Sequence, residues 1–326
     1  MIQLHTYYTI DPKQWNELIK SSSVATWFQT PEAYRFYSSV SDMLPFAYGV
    51  SEEGRLVGVV VGYTTKEKCN LKQHFTARTI IPGGPLLSQE ITDKALSTLL
   101  ITLYEKLDNT IYIESRNYND YSQWKSVFNA NGFVYQSHYD IHVRCDDNHK
   151  ISDRRQRELK KAVKNGAIVQ EAQSEQEIRD WYQILSQLYK QKVHTPLPEL
   201  DFFLQFYRNR VGIYLLVKDG DTVIGGMMCP ILDGKAIYEW YVCGLDEEYK
   251  DLYPSVVVTF AAIEYAKSNQ LALFDFMGAG KPDEPYGVRD FKAEFGGELV
   301  EYGRFLCIRK PLLYAIGKMG VKWLKK

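Results

Sequence analysis

The chain reads as an α/β protein made of two copies of one unit. Three observations predict this. Helical and strand periods alternate along its length, the same order of elements appears twice, and two pairs of segments align at a nearly constant separation of roughly 160 to 168 residues. PFAYGVSEEGRLVGVVVG pairs with IYLLVKDGDTVIGGMMC, and IYIESRN with LFDFMGA. A period that long is a duplicated domain, because solenoid repeats run to about 20–50 residues. The predicted division is 1–148, 149–310 and a basic C-terminal helix 311–326, with the polar stretch Asp146–Ser152 as the junction.

The first half opens with helices at Asp11–Ser21 and Thr30–Ser39, each started by an Asp-Pro or Thr-Pro pair. Phe46–Val50 and Leu56–Tyr63 form a hairpin, a strand ends at Ile81 before PGGP, and Thr92–Leu107 carries leucines in helical phase. A strand Ile111–Glu114, a helix near Tyr121–Ala130 and a closing strand Phe133–Arg144 complete it. The second half repeats the order: helices Ser174–Gln191 and Pro198–Arg208, a hairpin Ile213–Lys218 and Thr222–Pro230, a strand Ala236–Val242, an apolar helix Ser255–Lys267, and strands Leu271–Met277 and Gly297–Ile308.

The 326 residues are 45% apolar and 24% charged, an ordinary folded balance. The first fifteen residues lack a leader pattern and no apolar run reaches eighteen, so the expectation is a cytoplasmic protein. Cys69, Cys145, Cys229, Cys243 and Cys307 are widely spaced and expected to be reduced, and no metal site is expected: His138 and His142 fall in an alternating run where their spacing means one strand face. The net charge of −1 is unevenly placed. Arg154–Lys164 carries +5, the last eighteen residues +6 and the remainder −12, so two basic patches invite anionic partners.

The first patch is an amphipathic helix. Leu159, Ala162 and Val163 are expected to face inward, leaving Arg154, Arg157, Lys161 and Lys164 as a stripe suited to phosphates of RNA, or else a solvated face. The second, RKPLLYAIGKMGVKWLKK, puts Leu312, Leu313, Ile316, Met319, Trp323 and Leu324 on one side with lysines elsewhere. It suits either an anionic membrane surface or docking on its own domain. The densest candidate site is Leu271–Phe305. Asp275 is a lone acid in an apolar strand, Gly278, Gly280, Pro282 and Pro285 break the pattern, and Tyr286, Arg289 and Lys292 share a helical side just beyond the strand. Lys281 joins them as a substrate-binding candidate.

Three segments, Phe28-Gln29-Thr30-Pro31, RRQRELKKAVKNGAIV at Arg154–Val169 and DFKAEFGGELVEYGRF at Asp290–Phe305, together with the element order, resemble the FemABX aminoacyltransferases over most of the chain. The fold implied is two tandem GNAT (acyl-CoA N-acyltransferase-like) domains, each a mixed, mostly antiparallel sheet flanked by helices. The activity implied is transfer of an amino acid from aminoacyl-tRNA to an amine of a peptidoglycan precursor, with no further cofactor, the precursor held in the first domain and the donor approached by the second. The resemblance marks Lys292 for stabilising the oxyanion or leaving group. Asp275 is the candidate base or amine-orienting group, or a salt-bridge partner of Lys281 or Arg289. Tyr238, Glu239 and Tyr241 lie on the strand where GNAT folds hold the acyl group, and Arg35 is the basic residue nearest the position where relatives contact precursor phosphate. The helical arm that some relatives insert in the second domain is absent here.

An acyl-CoA N-acyltransferase acting on an amino sugar, a lipid-linked glycan or an amino acid is the alternative reading. Against it, the loop expected to cradle the CoA pyrophosphate, Gly244–Pro254, is acidic and has no glycine after Gly244, and the PGGP loop is flanked by prolines that lack a donor.

Overall fold

The structure is a computed structural model describing residues 1–65, 75–146, 148–194 and 196–324, with side chains through residue 319. Cys69 lies outside the described residues. Among them the elements run β1 (Ile2–Thr6), α1 (Pro12–Ser21), α2 (Pro31–Ser39), β2 (Met43–Glu52), β3 (Arg55–Thr65), β4 (Thr79–Gly83), β5 (Leu86–Leu87), α3 (Asp93–Lys106), β6 (Tyr112–Asn117), α4 (Lys125–Ala130), β7 (Val134–Gln136) and β8 (Asp140–Arg144). The second half continues with α5 (Asp153–Lys164), β9 (Ile168–Glu171), α6 (Glu175–Leu188), α7 (Leu200–Asn209), β10 (Gly212–Asp219), β11 (Thr222–Leu232), β12 (Ala236–Tyr238), β13 (Tyr241–Gly244), α8 (Pro254–Ser268), β14 (Leu273–Asp275), α9 (Gly287–Ala293), β15 (Glu298–Val300), β16 (Arg304–Ile308) and α10 (Pro311–Leu324).

The strands form two mixed sheets of the same design. The orders are β1-β2-β3-β4-β6-β16-β7 with β5 beside β3, and β15-β8-β14-β12-β11-β10-β9 with β13 beside β11. Both hairpins carry a register shift, at Val50/Ser51 and Val217/Lys218, and each sheet has one parallel pairing, β4 with β6 and β12 with β14. Repetition of a bulge and of a parallel crossover at corresponding places supports the duplication.

The sequence division does not hold at its edges. One compact unit is Met1–His138 with Glu301–Lys326, the other Tyr139–Val300. Phe133–Arg144 is two strands: β7 stays with the first sheet, while β8 pairs with β14 and β15. Gly297–Ile308 splits likewise, and β16 inserts between β6 and β7. The expected junction therefore belongs to the second unit, where His149 Nε2 sits 2.6 Å from the Phe295 carbonyl and Ser152 N–H donates to that of Glu294. Alternation could not reveal the exchange, because β8 and β16 have the same inside–outside period in either sheet. The basic segment Arg154–Val169 is helix only through Lys164; Asn165-Gly166 ends α5, and Ile168–Glu171 is strand β9.

Side-chain packing explains why the foreign strands fit. In the first unit Leu96, Leu99, Leu100 and Leu103 of α3 cover Val50, Val60, Ile81 and Ile113, and Phe305 of β16 stacks on Phe128 at 4.0 Å between centroids. In the second, Val258, Ala262 and Ile263 of α8 cover Leu215, Met227 and Phe274, with Ile141 and Val143 of β8 in the same core. Burying a side chain of this size contributes roughly 1.5–3 kcal/mol. Charge adds register: Glu114 on β6 binds Arg116 at 2.7 Å and Arg304 of β16 at 3.1 Å. Burial raises the Glu114 pKa, but the two guanidiniums prevail and lower it to about 2. Because its folded pKa lies below its unfolded one, the stabilisation is present above about pH 4.5 and is lost as pH falls toward 2. Glu114→Gln is expected to destabilise the protein by about 3 kcal/mol near neutral pH and to flatten this part of the acid dependence, as measured by urea unfolding at stepped pH.

Candidate functional site

The second unit gathers its ionisable groups where one strand leaves its neighbour. The expected strand Ala236–Val242 is broken. β12 lies parallel to β14 through Tyr238, whose partner is Asp275, and after Glu239-Trp240 β13 pairs, among the described residues, only with β11. Glu239 N–H still donates to the Asp275 carbonyl at 2.9 Å, whereas Trp240 N–H turns to Met228 and Tyr238. Glu239 therefore stands at the opening of a divergence in the sheet.

The first unit breaks at the corresponding place, between β4 and β5, but closes the gap with neutral groups. Gln29 Nε2 donates to the Gly83 and Gly84 carbonyls at 3.0 and 2.9 Å, and the Tyr121 hydroxyl donates to Gly83 and Pro85. Gly83 has φ +75°, and a Cβ there would come within 2.3 Å of Thr26 Oγ1, so the glycine is required. The Phe-Gln-Thr-Pro stretch thus locks this loop.

At the second break the occupant is charged. Lys292 of α9 donates Nζ to the Phe276 carbonyl at 2.8 Å and the Gly278 carbonyl at 2.9 Å, and forms an ion pair with Glu239 Oε1 at 3.0 Å. Three acceptors match the three protons of an ammonium. Arg289, one turn earlier, donates to the carbonyls of Ala279 (2.7 Å) and Lys281, and the Tyr286 ring lies over Gly280, where a Cβ would meet it at 2.9 Å. Tyr286, Arg289 and Lys292 do share one side, and that side clasps the loop after β14. The loop needs clasping: Met277, Gly278 and Gly280 all have positive φ. Its N–H groups are satisfied from within, since Phe276 donates to Ile141, Met277 to Asp275, Gly278 to Asp140 and Ala279 to Tyr139.

Behind this loop lies an acid–imidazole cluster that the spacing of residues did not disclose. The β14–β8 register sets Asp275 opposite His142, and Asp140 sits two residues before His142 on the same strand face. His142 Nε2 is 3.4 Å from Asp275 Oδ2, and donor atoms of Asp140, His142 and Asp275 lie within 4.8 Å of one another, a set able to hold a cation or a proton. Asp275 pairs with His142, where Lys281 or Arg289 was expected, because the exchanged strand brings the imidazole closer. Lys281 instead pairs with Glu284. Burial and the neighbouring Asp275 charge push the Asp140 pKa well up. Burial lowers that of His142, but Asp275 outweighs it and the net direction is upward. Glu239 is also raised by burial, with Lys292 opposing.

The remaining candidates are spread out. Tyr238 is buried, while Tyr241 joins Phe202, Phe203 and Trp240 in an aromatic cluster beside the break. Arg35 lies in the first unit, half exposed and paired with Glu32. The basic helix differs from expectation. Val163, expected inward, is 71% exposed, and Arg155, omitted from the stripe, is buried against Phe291 and paired with Glu158 and Glu294. A guanidinium able to stack and to bond two carboxylates satisfies that face better than a β-branched residue. Arg154 and Lys161 are paired with Glu158 and Asp251, leaving Arg157, Lys160 and Lys164 exposed and free of ion pairs among the described residues. The loop before α8 is closed by its own carboxylate: Asp246 accepts from Ser255 N–H at 3.1 Å and from its hydroxyl.

Removing the ammonium leaves a buried carboxylate and two carbonyls without their donor. Lys292→Met is expected to lose about 3–5 kcal/mol. The double variant Lys292→Met with Glu239→Leu is expected to recover part of that loss, read as a coupling energy from denaturant unfolding of all four proteins.

Residues 223–321, from β11 through most of α10, match the sequence model of the FemAB family. Among solved structures, FemX superposes with a TM-score of 0.72 at 14% identity, covering 96% of this chain and 99% of its own. L-PGS from Bacillus licheniformis superposes at 0.59 with 13% identity over 92% of each chain, and a tandem GNAT protein from the clavulanic acid biosynthesis pathway at 0.59 with 11% identity over 95% of this chain and 99% of its own. No curated protein matches the sequence at a significant level. The chain thus resembles the FemABX proteins: a segment holding Glu239, Asp275 and Lys292 matches the FemAB family model, and the whole chain has the fold of FemX and of a tandem GNAT protein.

Proposed function

We propose that the protein is an aminoacyltransferase that moves an amino acid from aminoacyl-tRNA to an amine of a peptidoglycan precursor. The observation that carries this is the buried Lys292–Glu239 pair at the sheet divergence, inside the segment that matches the FemAB family. A tRNA donor places the reaction in the cytoplasm.

The chemistry needs a neutral amine, and a lysine-like amine has a pKa of about 10.4. Glu239 suits the proton acceptor better than Asp275, which is fully buried and engaged by Met277 N–H and His142. Burial makes Glu239 more basic, and the Lys292 ammonium 3.0 Å away opposes that shift. The amine nitrogen bonds to the ester carbonyl carbon, the ester C–O bond breaks, and the proton collected from the amine returns to the departing ribose oxygen. Lys292 supplies the positive charge at the oxyanion. The aromatic cluster around Tyr241 lines the acyl side of the break, Lys281 and Arg289 lie beside it, and Arg35 meets precursor phosphate in the first unit.

Two features favour an RNA donor over CoA. The Asp246 carboxylate occupies the N-terminus of α8, where a pyrophosphate would otherwise be drawn by free N–H groups and the helix dipole. Arg157, Lys160 and Lys164 offer phosphates an exposed stripe. With three phosphate contacts, tRNA binding should weaken roughly 20- to 40-fold over a fourfold rise in salt. Reversing Arg157 and Lys164 to Glu should remove most of that dependence in filter binding. In a transfer assay run below its melting transition, Glu239→Gln should lower turnover about 100-fold or more. Tight CoA binding with no response to tRNA would overturn the reading in favour of acyl-CoA-dependent N-acylation.

A further inference from the structure

The C-terminal helix is attached at its base and bare along its side. Arg309 stacks on Tyr104 at 3.6 Å and donates to its carbonyl, and the Tyr314 ring meets Tyr112 edge-on at 5.5 Å. On the side away from that anchor three apolar positions are uncovered: Leu312 is 81% exposed, Ile316 61% and Met319 64%. These are steps of four and three residues, one side of a helix, and the sequence continues the spacing to Trp323, whose side chain lies outside those described. Exposed Ile101 and Tyr104 on α3 and Ile308 of β16 extend the apolar surface around the anchor. Docking on its own unit, one of the two expectations for this segment, holds at its base, while Leu312, Ile316 and Met319 stay exposed.

We infer that this helix lies in the surface of an anionic lipid bilayer, with Leu312, Ile316 and Met319 in the acyl region and its lysines at the headgroups. Charge selects the occupant. Residues 309–326 contain six basic residues and no acid, so a second copy packed on this face about a two-fold axis would set like charges against like, whereas anionic headgroups complement them. No described helix is long and apolar enough to cross a bilayer. An apolar stripe bordered by lysines lies in the interface plane. The inference is independent of which acyl donor the protein uses.

Co-sedimentation of the full chain with vesicles tests it. Binding is expected to vesicles that are one-third phosphatidylglycerol, at least tenfold tighter than to pure phosphatidylcholine, and to weaken with salt. Ile316→Asp with Met319→Asp should reduce partitioning at least tenfold while the thermal transition stays in place, since both side chains are exposed. Lys318→Glu should lower it severalfold. Failure to pellet with anionic vesicles, or equal binding by the aspartate variant, would overturn the inference. So would a concentration-dependent dimer in sedimentation velocity that the aspartate variant abolishes without any lipid effect.

Discussion

An ammonium ion buried in a loop of positive-φ residues holds the second unit's chemistry together. Lys292 places its three protons on two backbone carbonyls and one carboxylate, so a single side chain fixes the turn after β14, pairs with Glu239 and positions α9. A buried ion pair contributes little net stability compared with apolar packing, and its retention calls for another reason. Here the reason is poise. The pair stands at the break in the sheet, where a carboxylate made more basic by burial can accept a proton and a fixed positive charge is already paid for by the fold.

Strand exchange is what makes that environment possible. β8 brings Asp140 and His142 against Asp275, and Asp140 accepts from Gly278 N–H, so the loop is held from the exchanged strand as well as from α9. The first unit has the same broken strand but fills it with Gln29 and Tyr121, hydrogen-bonded and uncharged. Two copies of one architecture have thus diverged at one position: one break is closed, the other carries titratable groups.

Much of this was legible in the sequence. The element order, the duplication and the shared side of Tyr286, Arg289 and Lys292 follow from periodicity and spacing, because amphipathic helices and hairpins announce themselves locally. What escaped is non-local. Neither the destination of β8 and β16 nor the pairing of His142 with Asp275 can be read from alternation, which is the same in both sheets. The break at Glu239-Trp240 is hidden in a run that looks like one continuous strand. The burial of Arg155 was missed for a related reason: its cover, Phe291 and Glu294, comes from α9 and the residue that follows it, far along the chain.

The central claim is that the charged break serves aminoacyl transfer. Its most direct test offers the protein aminoacyl-tRNA and acetyl-CoA together with an amine-bearing peptidoglycan precursor and identifies the acyl group on the product by mass spectrometry. The account predicts an added amino acid, absent when Lys292→Met replaces the wild type. An acetyl adduct, or an aminoacyl adduct formed equally well by the variant, would contradict it.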